Sequence, residues 1–244
     1  MGPENSGGVN VKSRRGLNLD RVVLLGRTFE EYVHYFGLNW ETWRGRDLLD
    51  VASGVSSFCS EANLLGGRVT ACDPIYAMPP EVLRPKCEED LDHVLGSIGG
   101  LTVYRWEFYK NPAILRGYRE RAFKKFLADF QVQPPGRYVR GSLPVLPFPD
   151  RQFELSLVSY FLFVYGDHFD LAFHRAALVE LMRVTRCEAR VYPLVTFEGE
   201  QCPYLDALRA DPALGEFELE EIATDFEFLV GSNAYLRITR RSSC

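Results

Sequence analysis

Apolar and polar positions follow two rhythms along this chain, one of period two to a run and one near 3.6, and they predict where strands and helices fall. Residues 28–37, "TFEEYVHYFG", read as a helix, with Thr28 and Glu31 spaced as a capping box and Gly37 as its stop. Residues 47–52 form a short apolar strand, 57–65 a helix with Phe58, Ala62 and Leu65 on one face, and 68–73, "RVTACD", a second strand. Strand, helix and strand in so short a span make a βαβ unit, right-handed and parallel.

The rhythm then breaks. About 63 residues separate Asp73 from the next strand signal, near 137–141, too many for a plain crossover. A helix is expected near 88–96. A longer one covers 112–130, with Leu115, Tyr118, Ala122, Phe126 and Leu127 on one face. Residues 76–135 are therefore a helical insertion, placed to serve as a lid or a substrate-recognition region. After it the alternation resumes. Residues 137–143 are a strand, 153–164 a strand running into an aromatic loop, and 168–184 a helix with Asp167 and Asp170 at its positive end. A strand at 187–195 and a short helix at 203–210 follow, and strands at 217–224 and 234–240 close the chain as an antiparallel pair. The expected architecture is α/β: a doubly wound, seven-stranded, mostly parallel sheet with a C-terminal antiparallel hairpin and a helical insertion after strand 2.

Composition narrows the setting. The 244 residues are 46% hydrophobic and 25% charged, ordinary for a globular protein, and the net charge of −5 argues against a dedicated nucleic-acid binder. Six cysteines, at 59, 72, 87, 187, 202 and 244, include no C-x-x-C pair, which argues against a zinc or redox motif. No apolar run reaches the ~20 residues of a membrane span, and the N-terminus lacks a secretory h-region, so a cytoplasmic protein is expected. "MGPENS" matches a myristoylation pattern, yet residues 1–16 read as a polar, disordered leader to a single domain over 17–244.

Ligands of a doubly wound sheet sit beyond the C-terminal strand ends, and three stretches converge there. After strand 1, "DVASGVSS" offers Ala52, Ser53 and Gly54, small enough for backbone to approach a ligand. Asp73 ends strand 2, where a carboxylate can accept from both ribose hydroxyls. "GSLPVLPFPD", 141–150, precedes a strand whose "SYFLF" tail should line the pocket. A dinucleotide turn wants G-x-G-x-x-G around its pyrophosphate; here those places hold Ala52, Gly54 and Ser57. A cofactor without phosphates, such as S-adenosylmethionine, relaxes that demand.

In these features the chain resembles the class I, Rossmann-like S-adenosylmethionine-dependent methyltransferases: "LLDVASG" as the first motif, Asp73 in "ACDP" as the second, "GSLPVLPFPDRQFELSLVSYFLF" as the third, and the closing hairpin. The likeness spans about 45–240 and omits the insertion. It implies that Asp50 to Gly54 face the methionine end of the cofactor, that Asp73 holds the ribose, and that Pro74 and Ile75 pack on the adenine. It also implies that Ser142 and Leu143 meet the adenine edge and that Ser159 and Tyr160 line the pocket near the sulfonium. S-adenosylhomocysteine would be the product and a small molecule the acceptor. The turn holds less glycine than the family's, and Ser142 stands where an acid is common.

Methyl transfer needs a base only when the acceptor must shed a proton; the candidates at that end of the sheet are Tyr165, Asp167 and His168. Tyr104, Trp106, Phe108 and Tyr109 of the insertion either cover a substrate or form its own core. The basic run Arg116, Arg119, Arg121, Lys124 and Lys125 reads as a solvated face, and His174 as a packed side chain. Two other classes stay open: an NAD-dependent Rossmann oxidoreductase, against which the missing glycines argue, and a cofactor-binding regulatory protein on the same fold.

Overall fold

The computed structural model describes residues 17, 21–166 and 168–241; the leader and Asp167 lie outside them. The chain runs α1 (Phe29–Phe36), α2 (Trp40–Trp43), β1 (Asp47–Val51), α3 (Phe58–Leu64), β2 (Arg68–Cys72), α4 (Pro80–Ile98), α5 (Pro112–Phe130), β3 (Tyr138–Val139), β4 (Phe153–Ser159), α6 (Leu171–Val184), β5 (Thr185–Tyr192), α7 (Leu205–Arg209), β6 (Phe217–Ala223) and β7 (Ala234–Arg240). The strands form one sheet in the order β3-β2-β1-β4-β5-β7-β6. β3, β2, β1, β4 and β5 are parallel, and β7 is antiparallel to both its neighbours. The order reverses at β1, so a crevice opens beyond the ends of β1 and β4.

Strand alternation assigns each face its helices. Leu48, Leu155 and Leu157 point to a core shared with Tyr32, Tyr35 and Phe36 of α1 and Phe58 and Ala62 of α3. Leu49, Val51 and Val158 point the other way, onto Ala177, Leu178, Leu181 and Met182 of α6. The capping box at Thr28 is formed, with Glu31 reaching back to the Thr28 N–H at 2.7 Å, and Gly37 closes α1 in the left-handed conformation.

Several boundaries differ from the sequence expectation. α4 spans 80–98, because Leu83, Cys87, Leu91, Val94 and Ile98 keep one buried face through Pro85. α6 starts at Leu171, where Asp170 accepts from the Phe173 N–H at 2.8 Å, rather than at 168. β3 is two residues long, because beyond Val139 the chain leaves the sheet edge toward the crevice.

Helices α4 and α5 have a core of their own, Leu83, Cys87 and Leu91 against Phe123, Phe126 and Phe130. The insertion's aromatic residues pack on the remainder of the protein instead. The rings of Tyr109 and Phe228 lie 4.7 Å apart, and those of Phe108 and Phe226 lie 5.0 Å apart. Among the described residues no helix is long and apolar enough to cross a membrane.

Arg119 corrects the reading of the basic run as a solvated face. It is buried, donating to Glu31 at 2.6 Å, to the Gly26 carbonyl at 3.1 Å and to the Tyr109 hydroxyl at 2.9 Å. Glu31, also fully buried, accepts from Tyr35 and Tyr109. Burial pushes the Glu31 carboxyl up, but the Arg119 and Arg27 guanidiniums with the Tyr109 hydrogen bond outweigh it, and its pKa is lowered. This pair ties α5 of the insertion to α1.

Candidate functional site

At the C-terminal ends of β1, β2 and β4 lies a cavity of about 230 Å³. Its floor is the turn after β1. Ala52 and Gly54 both adopt left-handed φ, 52° and 54°, a sharp reversal that brings the backbone of the turn to the cavity. Asp73, just past β2, braces this turn: one carboxylate oxygen accepts from the Gly54 N–H and the other from the Ile75 N–H, each at 2.9 Å. Tyr76 adds a hydrogen bond to the Gly54 carbonyl at 3.0 Å. Each carboxylate oxygen keeps a lone pair for a further donor, and Asp73, Pro74 and Ile75 all line the cavity. Burial raises the Asp73 pKa against the two backbone hydrogen bonds that lower it.

Ala52, Ser53, Gly54, Ser142, Leu143, Ser159 and Tyr160 share the same wall, so ten of the eleven residues named for the cofactor converge there. Asp50 does not reach it. Its carboxylate lies one layer behind, accepting from Tyr32 Oη at 2.9 Å and Ser53 Oγ at 2.6 Å, and those two residues form the wall. Full burial pushes the Asp50 pKa up to about 7, the Ser53 and Tyr32 hydrogen bonds oppose the shift, and the Asp73 charge adds to it.

Of the three proton-transfer candidates, Tyr165 lines the cavity, with Oη accepting from the Val23 N–H at 3.2 Å. His168 is exposed and outside the lining, although its ring packs edge-on against Tyr165. Asp167 lies outside the described residues. His174 is buried, each ring nitrogen within hydrogen-bond distance of a backbone carbonyl, Asp170 and Leu162.

The outer wall is a segment the sequence reading did not assign. Leu17 and the extended stretch 22–27 close over the turn. The Arg27 carbonyl accepts from Ser57 N–H at 2.9 Å and Ser56 Oγ at 2.8 Å, and the Leu24 N–H donates to buried Asp90 of α4 at 2.7 Å. Gly26 is needed for this approach, since a Cβ there would stand 2.3 Å from the Val55 carbonyl oxygen. The sequence did carry a signal, the apolar run "VVLL" before the capping box. A segment lying flat on a cavity has no helical or strand period to betray its role.

Three buried polar atoms without a hydrogen-bond partner belong to residues of this wall: Arg27 Nε, Ser159 Oγ and Tyr160 Oη. Tyr160 takes a left-handed φ of 50°, and the Arg27 guanidinium sits 4.3 Å from the centre of its ring. Buried donors left open in this way are met by a ligand or water.

The parallel run 3-2-1-4-5 closed by an antiparallel 7-6 pair, with an acid ending β2 beside the turn after β1, defines the class I, Rossmann-like methyltransferase fold. The chain is 38% identical over 228 residues to "Uncharacterized protein MJ0045" of Methanocaldococcus jannaschii, an overlap of 93% of this chain and 100% of the relative, and belongs to the same family. No family model matches the chain. Among solved structures it is similar to the magnesium protoporphyrin IX methyltransferase of Synechocystis with bound S-adenosylmethionine. The TM-score there is 0.46 and the identity 12%, over 87% of this chain and 77% of that one. It is also similar to the PH0226 protein of Pyrococcus horikoshii, with a TM-score of 0.46 and 15% identity over 86% and 88%. A third is the 1,6-didemethyltoxoflavin N1-methyltransferase of Burkholderia thailandensis, with a TM-score of 0.43 and 13% identity over 86% and 77%.

Proposed function

We propose that the protein binds S-adenosylmethionine in this cavity and transfers its methyl group to a small-molecule acceptor. The observation that carries the reading is Asp73: it fixes the turn through Gly54 while keeping acceptor lone pairs toward the cavity, as a ribose diol requires. The rest of the lining fits the same group. The apolar Pro74, Ile75 and Leu143 offer a slot for adenine, and the small side chains of Ala52, Ser53 and Gly54 leave room for the amino-acid end. A single glycine in the turn suits a ligand without pyrophosphate.

The cofactor supplies a methyl carbon already activated by positive sulfur, so the protein's contribution is to hold acceptor and methyl in line and to exclude water. Tyr160, beside Ser159 at the end of β4, carries its ring to the wall shared with a second cavity, which gives the acceptor its approach.

Isothermal calorimetry against S-adenosylmethionine, S-adenosylhomocysteine and NAD tests the reading. Binding of both sulfur compounds without NAD supports it; binding of NAD alone overturns it.

A further inference from the structure

A second, narrower cavity of about 40 Å³ lies between α4, α5 and the turn at 228–229. The two cavities share Leu17, Leu25, Arg27, Tyr160 and Phe197 in their walls. A donor in the first and an acceptor in the second therefore meet at Arg27 and Tyr160. The second cavity is walled by Leu91, Val94 and Ile98 of α4, Leu115 of α5 and the rings of Tyr104 and Phe228. Arg119 also borders it, but its charge is matched by Glu31 at 2.6 Å. One water needs about 10–15 Å³ on this scale, so the space takes only about three or four water-sized groups, a short aliphatic chain rather than a ring.

The junction has the opposite chemistry. Arg27 makes no salt bridge among the described residues, although its charge reaches the Glu31 carboxylate that Arg119 already pairs. Its guanidinium donates to the Leu25 carbonyl and lies over the Tyr160 ring, while its Nε and the Tyr160 hydroxyl are buried with nothing to donate to. Two open donors, one of them charged, call for an anionic oxygen acceptor.

The lining also lacks a group to take a proton. Among the described residues neither cavity wall holds a histidine or lysine, and Asp73 is the single carboxylate of the first wall, with none in the second. Asp50, behind the wall, has both oxygens engaged by Tyr32 and Ser53. The phenols of Tyr104, Tyr160 and Tyr165 are held protonated by burial. An alcohol, phenol or ammonium must lose a proton to be methylated; a carboxylate has none to lose.

We propose that the acceptor is a small apolar carboxylic acid, its body in the second cavity and its carboxylate held by Arg27 and Tyr160, and that it is methylated on the carboxylate oxygen. This rests on the methyl-transfer reading above. In the step, an oxygen lone pair forms the bond to the methyl carbon while the carbon–sulfur bond breaks and its electron pair stays on sulfur. Carboxylate anion and sulfonium cation become a neutral methyl ester and a neutral thioether, with no proton released.

The experiment uses the full chain saturated with S-adenosylhomocysteine. Calorimetry compares propionate, butyrate and isobutyrate with propionamide, butyramide and isobutyramide. Separately, the carboxylates are incubated with methyl-labelled S-adenosylmethionine, and base-labile volatile label is counted as ester. The carboxylates should bind at least about tenfold tighter than their amides and yield base-labile label. Arg27→Met should erase the preference, and Arg27→Lys should restore part of it. If S-adenosylhomocysteine does not bind the wild-type protein, the methyl-transfer reading itself fails. If it binds but no carboxylate is preferred or esterified, the acceptor assignment is overturned. The same holds if Arg27→Met weakens S-adenosylhomocysteine while the carboxylate preference survives, because Arg27 then serves the cofactor's own carboxylate.

Discussion

The Gly54 N–H donates to the Asp73 carboxylate at 2.9 Å, joining the ends of β1 and β2 through two residues of the proposed cofactor site. Asp73 braces the turn, and in the proposed function it also offers lone pairs to the ribose. Asp73→Asn keeps the size and one acceptor oxygen but loses the charge and one carboxylate acceptor. S-adenosylhomocysteine affinity is expected to fall about tenfold or more, since each charge-assisted hydrogen bond is worth about 1.5–3 kcal/mol. The fold should survive, so calorimetry and circular dichroism together check the prediction. Unchanged affinity in a folded variant would place the ribose elsewhere.

Asp50 makes stability depend on pH. Its pKa is pushed up to about 7 in the folded protein, against about 3.9 in an unfolded chain. Between these values the folded state holds a proton that the unfolded state has released, so stability falls as pH rises from about 4 through about 7 and the loss is complete above. Asp73 shifts in the same direction and Glu31 in the opposite one, so the Asp50 share is isolated by difference. Urea denaturation at pH 5 and pH 8 should show a smaller drop for Asp50→Asn than for the wild type. Equal drops would mean that Asp50 stays ionised in the fold.

Glu31 and Arg119 predict a different kind of damage. Both are buried, so Glu31→Gln leaves an unmatched guanidinium in the core. Breaking a buried pair from one side costs roughly 3–5 kcal/mol. Adding Arg119→Met removes the stranded charge, and the double variant should recover part of the loss. Chemical denaturation of the two single variants and the double variant reads this directly. Additive losses would show that the two side chains do not act as a pair.

These two residues also mark how far the sequence could be read. The strand positions, the turn and Asp73 were legible because each is local: a run of apolar residues, a small-residue reversal, an acid at a strand end. Arg119 falls between Leu115 and Ala122 on the buried face of α5, a position the helical period does specify, yet its charge and its basic neighbours favoured solvent. What buries it is Glu31, 88 positions away, and no local pattern announces a partner at that distance. His168 fails for the reverse reason. It is close to the site in sequence, but the chain turns at Gly166 before α6 and leaves its ring outside.

Gly26→Ala tests the covering segment. The new Cβ would press on the Val55 carbonyl oxygen at 2.3 Å and approach the Ala122 Cβ at 3.0 Å, so the segment or the turn has to shift. Overpacking of this kind costs about 1–3 kcal/mol. Thermal denaturation should show that loss, and S-adenosylhomocysteine should bind more weakly. Wild-type stability and binding would show that the segment does not seat against the turn.

The same segment, rather than the insertion, is expected to move with ligand. Helix α5 is held by Arg119 through Glu31 and Gly26 and by its packing on α4, and none of those three residues lines the first cavity. The stretch 21–25 is held chiefly from one side, by Asp90 on Arg21 and the Leu24 N–H and by Tyr165 on the Val23 N–H, and its apolar side chains line the cavity. Few buried backbone hydrogen bonds mean a low opening free energy. Hydrogen exchange at 22–25 should therefore be fast in the empty protein and slow when S-adenosylhomocysteine binds, while 115–127 and the β1 and β4 amides stay protected throughout. If α5 instead gains protection on ligand binding and 22–25 does not, the insertion is the lid and the N-terminal segment a fixed wall.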